Sequence, residues 1–183
     1  IGTIENDDAA MANVITGTPE QDIIRVGSNS PGVEGDPPAD LVEDTINALG
    51  GDDYIEGGFG ADTFVFTGNN GQDTIGDFTA DQGSGFDRID LSDYDVSDVS
   101  DLFIDPGFKD TTISGYTDTI PGNDPDKIIL RDFKGDLSND DFIFGEPREV
   151  ITGTDGDDKI KPLPDGISDG VTGGIPSDAG DTI

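Results

Sequence analysis

Three aspartates, Asp44, Asp53 and Asp62, stand nine residues apart, and each is followed two positions later by a large apolar residue: Ile46, Ile55 and Phe64. The stretches between them are rich in glycine, which alone reaches positive φ at little cost, so each nine-residue unit reads as a turn followed by a short strand with one inward side chain. Two units then make a coil of 18 residues. Residues 18 apart stack on neighbouring coils, placing Asp44 beside Asp62 on one edge and Asp53 on the other. At a strand spacing of about 4.8 Å, two bare carboxylates repel by roughly 1 kcal/mol in water and about 3 kcal/mol at an effective dielectric of 20. A cation between them removes that repulsion. Calcium suits the place, because it accepts about 6 to 8 oxygens in flexible geometry and glycine turns let backbone carbonyls approach. The alternative is a set of polar Asx-turns that join strands without any ion.

The last copy, Gly57-Gly-Phe-Gly-Ala-Asp62-Thr-Phe64-Val65, matches the nonapeptide GGxGxDxUx, U being a large apolar residue, at every specified position. In this it resembles RTX proteins, secreted bacterial proteins whose nonapeptides wind into a calcium-filled parallel β-roll. The resemblance implies Gly58, Gly60 and Asp62 as parts of a metal site, together with Asp44 and Asp53. An earlier, degenerate unit opens at Val14 (Val-Ile-Thr-Gly-Thr-Pro-Glu-Gln-Asp22-Ile-Ile24), with Asp22 at the aspartate position. Asp22 to Asp44 is 22 residues, four beyond one coil, and the surplus falls in Ser28 to Pro38, a Gly/Pro-rich bulging loop. Asp22 can still stack beside Asp44 and is expected as a further ligand; the alternative is a solvated turn aspartate. Leu41 to Leu49 taken alone suits an amphipathic helix, but Gly50-Gly51 and the ninefold register favour the coil.

After Phe66 the nonapeptides stop. Four segments follow in which apolar residues alternate with acids: Asp73 to Phe78, Asp87 to Ser92, Asp126 to Phe133 and Leu137 to Phe144. In order and spacing they are similar to the C-terminal β cap of the calcium-binding domain in serralysin-type proteases, lipases and alginate epimerases. Such a cap covers the open edge of a roll. Phe64, Phe66, Phe78, Phe103, Phe133, Phe142 and Phe144 read as core. Asp73 and Asp77, with Asp87 and Asp90, are candidates for one further ion where roll meets cap; a solvated acidic edge is the other reading.

The fold class expected is thus all-β: a short parallel β-roll followed by a β-sandwich-like cap. The expected divisions are residues 1–13, the end of a preceding β domain and a linker; 14–66, the roll; 67–145, the cap; and 146–183, a linker and the start of a second RTX unit. Residues 1–8 resemble the last strand of a Calx-β-like domain. Val150 to Thr154 repeats Val14 to Thr18 identically at an offset of 136, and Asp181-Thr-Ile183 answers Asp44-Thr-Ile46. The repeating unit is about 136 residues. With no methionine at residue 1 and no visible signal peptide, the chain reads as part of something longer.

Composition bounds the function. Against 41 Asp and Glu stand 9 Lys and Arg, a net charge of -32. Such a chain repels nucleic acid and anionic membranes, and without a counter-ion its own charge holds it open. Cysteine and histidine are both absent, which removes disulfides, thiolate sites, the usual zinc ligands and the usual general base. No apolar run reaches membrane-spanning length, and no nucleophile elbow, zinc-binding helix motif or phosphate loop is present. No catalytic residues are assigned and no enzyme activity is expected. The function expected is a calcium-binding structural module of a long, repetitive secreted or cell-surface bacterial protein of adhesin, surface-layer or filament type. It would fold on calcium outside the cell, and the family resemblance implies type I secretion. Its partners would be calcium, copies of itself end to end or neighbouring domains, and glycans, without membrane insertion. The alternative is a non-catalytic RTX accessory region of a type I-secreted protease, lipase or polysaccharide epimerase.

Overall fold

The computed structural model describes residues 13–38, 43–80, 86–116 and 126–145. The chain divides into two compact units, Ile1–Pro147 and Arg148–Ile183. The second unit, the Calx-β-like ending and the linker with the second RTX opening all lie outside the described residues.

The described strands, in chain order, are β1 (Asn13–Thr16), β2 (Ile23–Arg25), β3 (Ser28–Asn29), β4 (Asp44–Asn47), β5 (Tyr54–Ile55), β6 (Thr63–Val65), β7 (Gln72–Ile75), β8 (Arg88–Leu91), β9 (Phe103–Pro106), β10 (Thr111–Ser114), β11 (Lys127–Leu130) and β12 (Phe142–Phe144). Two short 3-10 turns, Val99–Asp101 and Asn139–Asp141, are the only helical elements among the described residues. The fold is all-β. One sheet runs β1-β4-β6-β8-β12 with every neighbouring pair parallel. The other runs β3-β2-β5-β7-β11-β10-β9; its central pairs are parallel, while β3, β10 and β9 are antiparallel additions at its two ends. From β4 to β8 the chain changes sheet at each successive strand, which is a parallel roll.

Alternation explains why these segments are strands. In β4 the residues Asp44-Thr-Ile46-Asn are buried and half-buried in turn, so every second side chain points inward. Ile46 fills the position two beyond the aspartate, and the strand register repeats that position from coil to coil. Ile15, Ile46, Phe64, Ile89 and Phe142 form one apolar column, and Ile24, Ile55, Ile75 and Leu130 form the facing one. All are buried. The stretch that suits a helix on its own is a strand where it is described, because only period-two spacing carries both Asp44 and Ile46 inside.

Three sequence expectations need correcting. Asp22 does not stack beside Asp44. It lies two residues before Ile24 in the second sheet, where β2 pairs with β5, so its neighbour is Asp53. The reason is a half-coil hidden at β1: Asn13 and Ile15 occupy the aspartate and inward positions nine residues ahead of Asp22 and Ile24, and Asn13 is paired with Asp44. Secondly, parallel stacking runs past Phe66. β7 and β8 continue both columns, and β11 and β12 add a further coil. The coil lengthens from the 18 residues between Asp44 and Asp62 to 20 between Asp53 and Asp73 and 25 between Asp62 and Asp87, which hides the register. Thirdly, Phe103 is not core. On the outermost strand of its sheet, it is 68% exposed, and the hairpin β9–β10 that carries it closes the edge of β11. Phe78 bridges Phe64 and Phe133, with ring centroids 6.2 and 5.7 Å away.

Candidate metal centre

The aspartates that precede the inward residues form two ladders, one along each sheet. In the first, the Asp44 N–H donates to Asp62 Oδ1 at 2.8 Å and the Asp62 N–H to Asp87 Oδ1 at 3.0 Å. In the second, the Asp22 N–H donates to Asp53 Oδ1 at 2.6 Å and the Asp53 N–H to Asp73 Oδ1 at 2.9 Å. Each carboxylate thus reaches back to the coil before it. The geometry follows from the register, since stacked aspartates bring a backbone N–H beneath a carboxylate one strand spacing away. The second ladder stops where Ile128 stands at the next aspartate position opposite Asp73.

What happens to the other carboxylate oxygen depends on position in the ladder. At three of the ends, Asp22, Asp73 and Asp87, it is satisfied locally. Asp22 Oδ2 accepts from the Thr18 N–H and hydroxyl at 2.6 and 3.0 Å, Asp73 Oδ2 from the Asn70 amide at 2.7 Å, and Asp87 Oδ2 from the Thr79 N–H at 2.7 Å. In the middle it is not. Asp53 Oδ2 and Asp62 Oδ2 are buried and have no hydrogen-bond partner. A buried charged oxygen with no donor is costly, typically by 1–3 kcal/mol or more.

The electrostatics agree. Burial pushes the Asp53 and Asp62 carboxyls up to about 6. The neighbouring charge of Asp22 adds to this for Asp53, and those of Asp44, Asp77 and Glu43 for Asp62. Asp73 and Asp87 are pushed up to about 7 by burial, with Asp53 and Asp52, and Asp62 and Asp77, adding to it. Without a positive partner these groups give up their protons only around pH 6 to 7, well above the ordinary carboxylate range.

The Gly-rich turns add to the oxygen supply. Asp77 clamps the consensus turn, accepting from the Gly57 N–H at 3.1 Å and the Gly58 N–H at 2.9 Å; burial raises its carboxyl too. Gly58 has φ +95, and Gly60 lies in the same turn. A Cβ at Gly57 would run into Asp62 Oδ2, so only glycine leaves that oxygen accessible from the turn. On the other edge the turns stack so closely that a Cβ at Gly51 would stand 2.8 Å from Glu20 O, and one at Gly71 would run into Gly51 O. Backbone carbonyls therefore line the edge that carries Asp22, Asp53 and Asp73.

The donor set is entirely oxygen: Asp53 Oδ2 and Asp62 Oδ2, neighbouring carboxylates and turn carbonyls. Among the described residues no group of three or more acidic side chains converges on one point. An ion here would take the larger part of its coordination from carbonyls and water. That suits calcium, which takes carbonyl and water oxygens readily, and excludes a site built for softer metals.

The structure brings together Asp22, Asp53 and Asp73 on one edge, and Asp44, Asp62, Gly58, Gly60 and Asp77 on the other. Asp87 completes the second group. Its signal was present in the sequence, an aspartate two residues before Ile89, but displaced to 25 residues after Asp62. Asp90 stays outside the ladders and accepts from the Ser92 N–H at 2.9 Å.

No protein-family model matches the chain, and no curated protein does either. Among solved structures, it is similar to the AlgE6R3 subunit from the Azotobacter vinelandii mannuronan C5-epimerase, with 22% identity over 87% of this chain and 98% of that one and a TM-score of 0.41. The fold assignment rests on the strand pairing itself.

Proposed function

We propose that the chain is a calcium-binding structural module of RTX type, belonging to a long secreted or cell-surface protein and folding when it meets calcium outside the cell. The observation that carries this reading is the pair of orphan oxygens, Asp53 Oδ2 and Asp62 Oδ2, buried at the middle of two aspartate ladders. Bound calcium would supply the positive charge that lets these carboxylates ionise side by side. The chain's own residues do the rest. Ladder hydrogen bonds fix Oδ1 of each aspartate and thereby aim Oδ2, the Asp77 bonds hold the consensus turn, and the glycines let carbonyls approach.

The net charge of -32 sets the direction of the coupling. Where calcium is scarce, repulsion favours the open chain; where it is plentiful, binding free energy becomes folding free energy. Extracellular modules of this kind bind with Kd of about 10⁻⁴ to 10⁻³ M, which matches export as an unfolded chain followed by folding outside. The reading assigns the chain no catalytic step. It takes Asp22, Asp44, Asp53, Asp62, Asp73, Asp77, Asp87, Gly58 and Gly60 as the metal-binding set.

Circular dichroism during a calcium titration, with magnesium as control, tests it. Little ordered β signal is expected in chelator and a cooperative gain with calcium, at concentrations where magnesium gives little. A chain equally ordered in chelator and in calcium would overturn the reading.

A further inference from the structure

The coil from Asn13 to Asp44 takes 31 residues where the consensus coil takes 18, and the surplus is folded across the leading edges of both sheets. β3 pairs antiparallel with β2, Ile24 facing Asn29 and Arg25 facing Ser28. The Ser30 N–H donates to Ile23 O at 2.9 Å, and the Ser30 hydroxyl accepts from the Ile23 N–H at 2.8 Å. Nearby, Glu34 bridges β1: its N–H donates to Thr16 O at 2.8 Å and its carbonyl accepts from the Thr16 N–H at 2.9 Å. The Asn13 amide donates to Asp36 O at 2.6 Å, and Val33 packs against the core. Gly35, at φ +96, passes so close over β1 that a Cβ there would run into Val14 O. One segment therefore occupies outward backbone groups in both sheets, at Thr16 of β1 and along β2. Pro31, Pro37 and Pro38 carry no N–H, so the segment itself is a poor template for another strand.

The groups it covers are those by which a parallel roll grows. At the other end of the first sheet β12 is the last strand among the described residues, and its Phe142 ends the column that begins at Ile15. β1 reads Asn-Val-Ile-Thr and β12 reads Phe-Ile-Phe. Neither strand contains a charge, so the paired positions themselves carry no like-charge repulsion in a chain of net charge -32. We propose that residues 28–38 are a plug held over a strand-acceptor edge, and that the partner which fits this edge is β12 of a second copy of the chain. Seating Phe142 of that copy beside Ile15 continues the apolar column from one molecule into the next. Such a contact is head-to-tail and propagates; the plug keeps each copy a terminated unit.

Sedimentation velocity on the full chain tests this, under conditions where every variant compared shows the β spectrum of the wild type. Because the readout is mass at equal β content, its outcome is separate from that of the calcium titration. Deleting residues 27–39 restores an 18-residue coil. The deletion is expected to turn a monomer into concentration-dependent larger species, with an association midpoint at least tenfold lower in concentration than for wild type. Glu34→Pro with Gly35→Val, which lifts the plug off β1 without shortening the chain, is expected to shift it in the same direction. Ile143→Asp, which puts a charge on the outward position of β12, is expected to return the deletion chain to monomer. The proposal is overturned if both plug variants fold and stay monomeric, if wild type associates as strongly as they do, or if Ile143→Asp leaves association unchanged. It is equally overturned if both plug variants lose the β spectrum, since residues 28–38 would then be part of the minimal fold and not a cover over it.

Discussion

Asp62 does two opposed things with its two oxygens. Oδ1 accepts the Asp44 N–H, while Oδ2 is buried without a partner, and burial together with the charges of Asp44, Asp77 and Glu43 holds the carboxyl up at about 6. Substitutions can separate the two roles. Asp62→Asn keeps an oxygen for the Asp44 N–H and removes the charge. In chelator it should show more ordered β signal than wild type, yet its calcium midpoint should rise at least tenfold, about 1.4 kcal/mol. An unchanged midpoint would remove Asp62 from the ligand set. Asp62→Ala also orphans the Asp44 N–H, at about 1–3 kcal/mol, and should be less ordered than Asp62→Asn at every calcium concentration. Gly57→Ala drives a methyl group into the Asp62 carboxylate and should cost about 1–3 kcal/mol, read as a lower thermal midpoint in calcium. At this scale the sequence was informative. Residue type and ninefold spacing located Asp44, Asp53 and Asp62, but nothing in them told which oxygen is bonded and which is bare, because that depends on a backbone N–H of another coil.

Among the elements, the strands with one aspartate and one apolar residue in period two were legible wherever the coil had its consensus length. Beyond it the strands within Asp73 to Phe78, Asp87 to Ser92, Asp126 to Phe133 and Leu137 to Phe144 were still legible, but insertions hid their register. Asp22 changes sheet because β1 lies nine residues ahead of it with Asn13 in place of an aspartate, and β7 and β8 follow turns of irregular length, so continuity of pairing replaces continuity of spacing. The hairpin β9–β10 has no acidic register at all. Each inward column rests on one side chain per strand, which makes Phe64 critical: it lies between Ile46 and Ile89, fully buried, with the Phe78 ring beside it. Phe64→Ala should cost about 3–5 kcal/mol, a large part of the 5–15 kcal/mol that holds a typical domain. The expected result is no ordered β signal at calcium concentrations that fold wild type. Phe103→Ala, at an exposed position on the outer strand, should lie within about 0.5 kcal/mol of wild type; equal effects of the two would mean the columns do not carry the core.

For the whole molecule, the charge of -32 and the raised carboxyls together fix how folding depends on pH. Asp53, Asp62, Asp73 and Asp87 sit at about 6 to 7 in the fold against an ordinary value of 3.8. The folded chain therefore holds protons that the unfolded chain releases. Stability from these four groups is fully present below 3.8 and is lost as pH rises through 6 to 7, each tenfold displacement of a proton equilibrium being worth about 1.4 kcal/mol. Asp98 and Asp132 are shifted down, by the Asn139 amide and by Lys109 respectively; they act in the opposite sense, but both are exposed and contribute little. In chelator, the β signal should thus be stronger at pH 5, still above the isoelectric point near 4.1, than at pH 8. Calcium competes with those protons for the same oxygens, so its midpoint should fall as pH rises from 5 to 8. The two trends have opposite signs in one molecule. A chain that in chelator gained order toward pH 8 would show that the ladder carboxylates ionise freely in the fold without a metal, and the orphan oxygens would then need no cation.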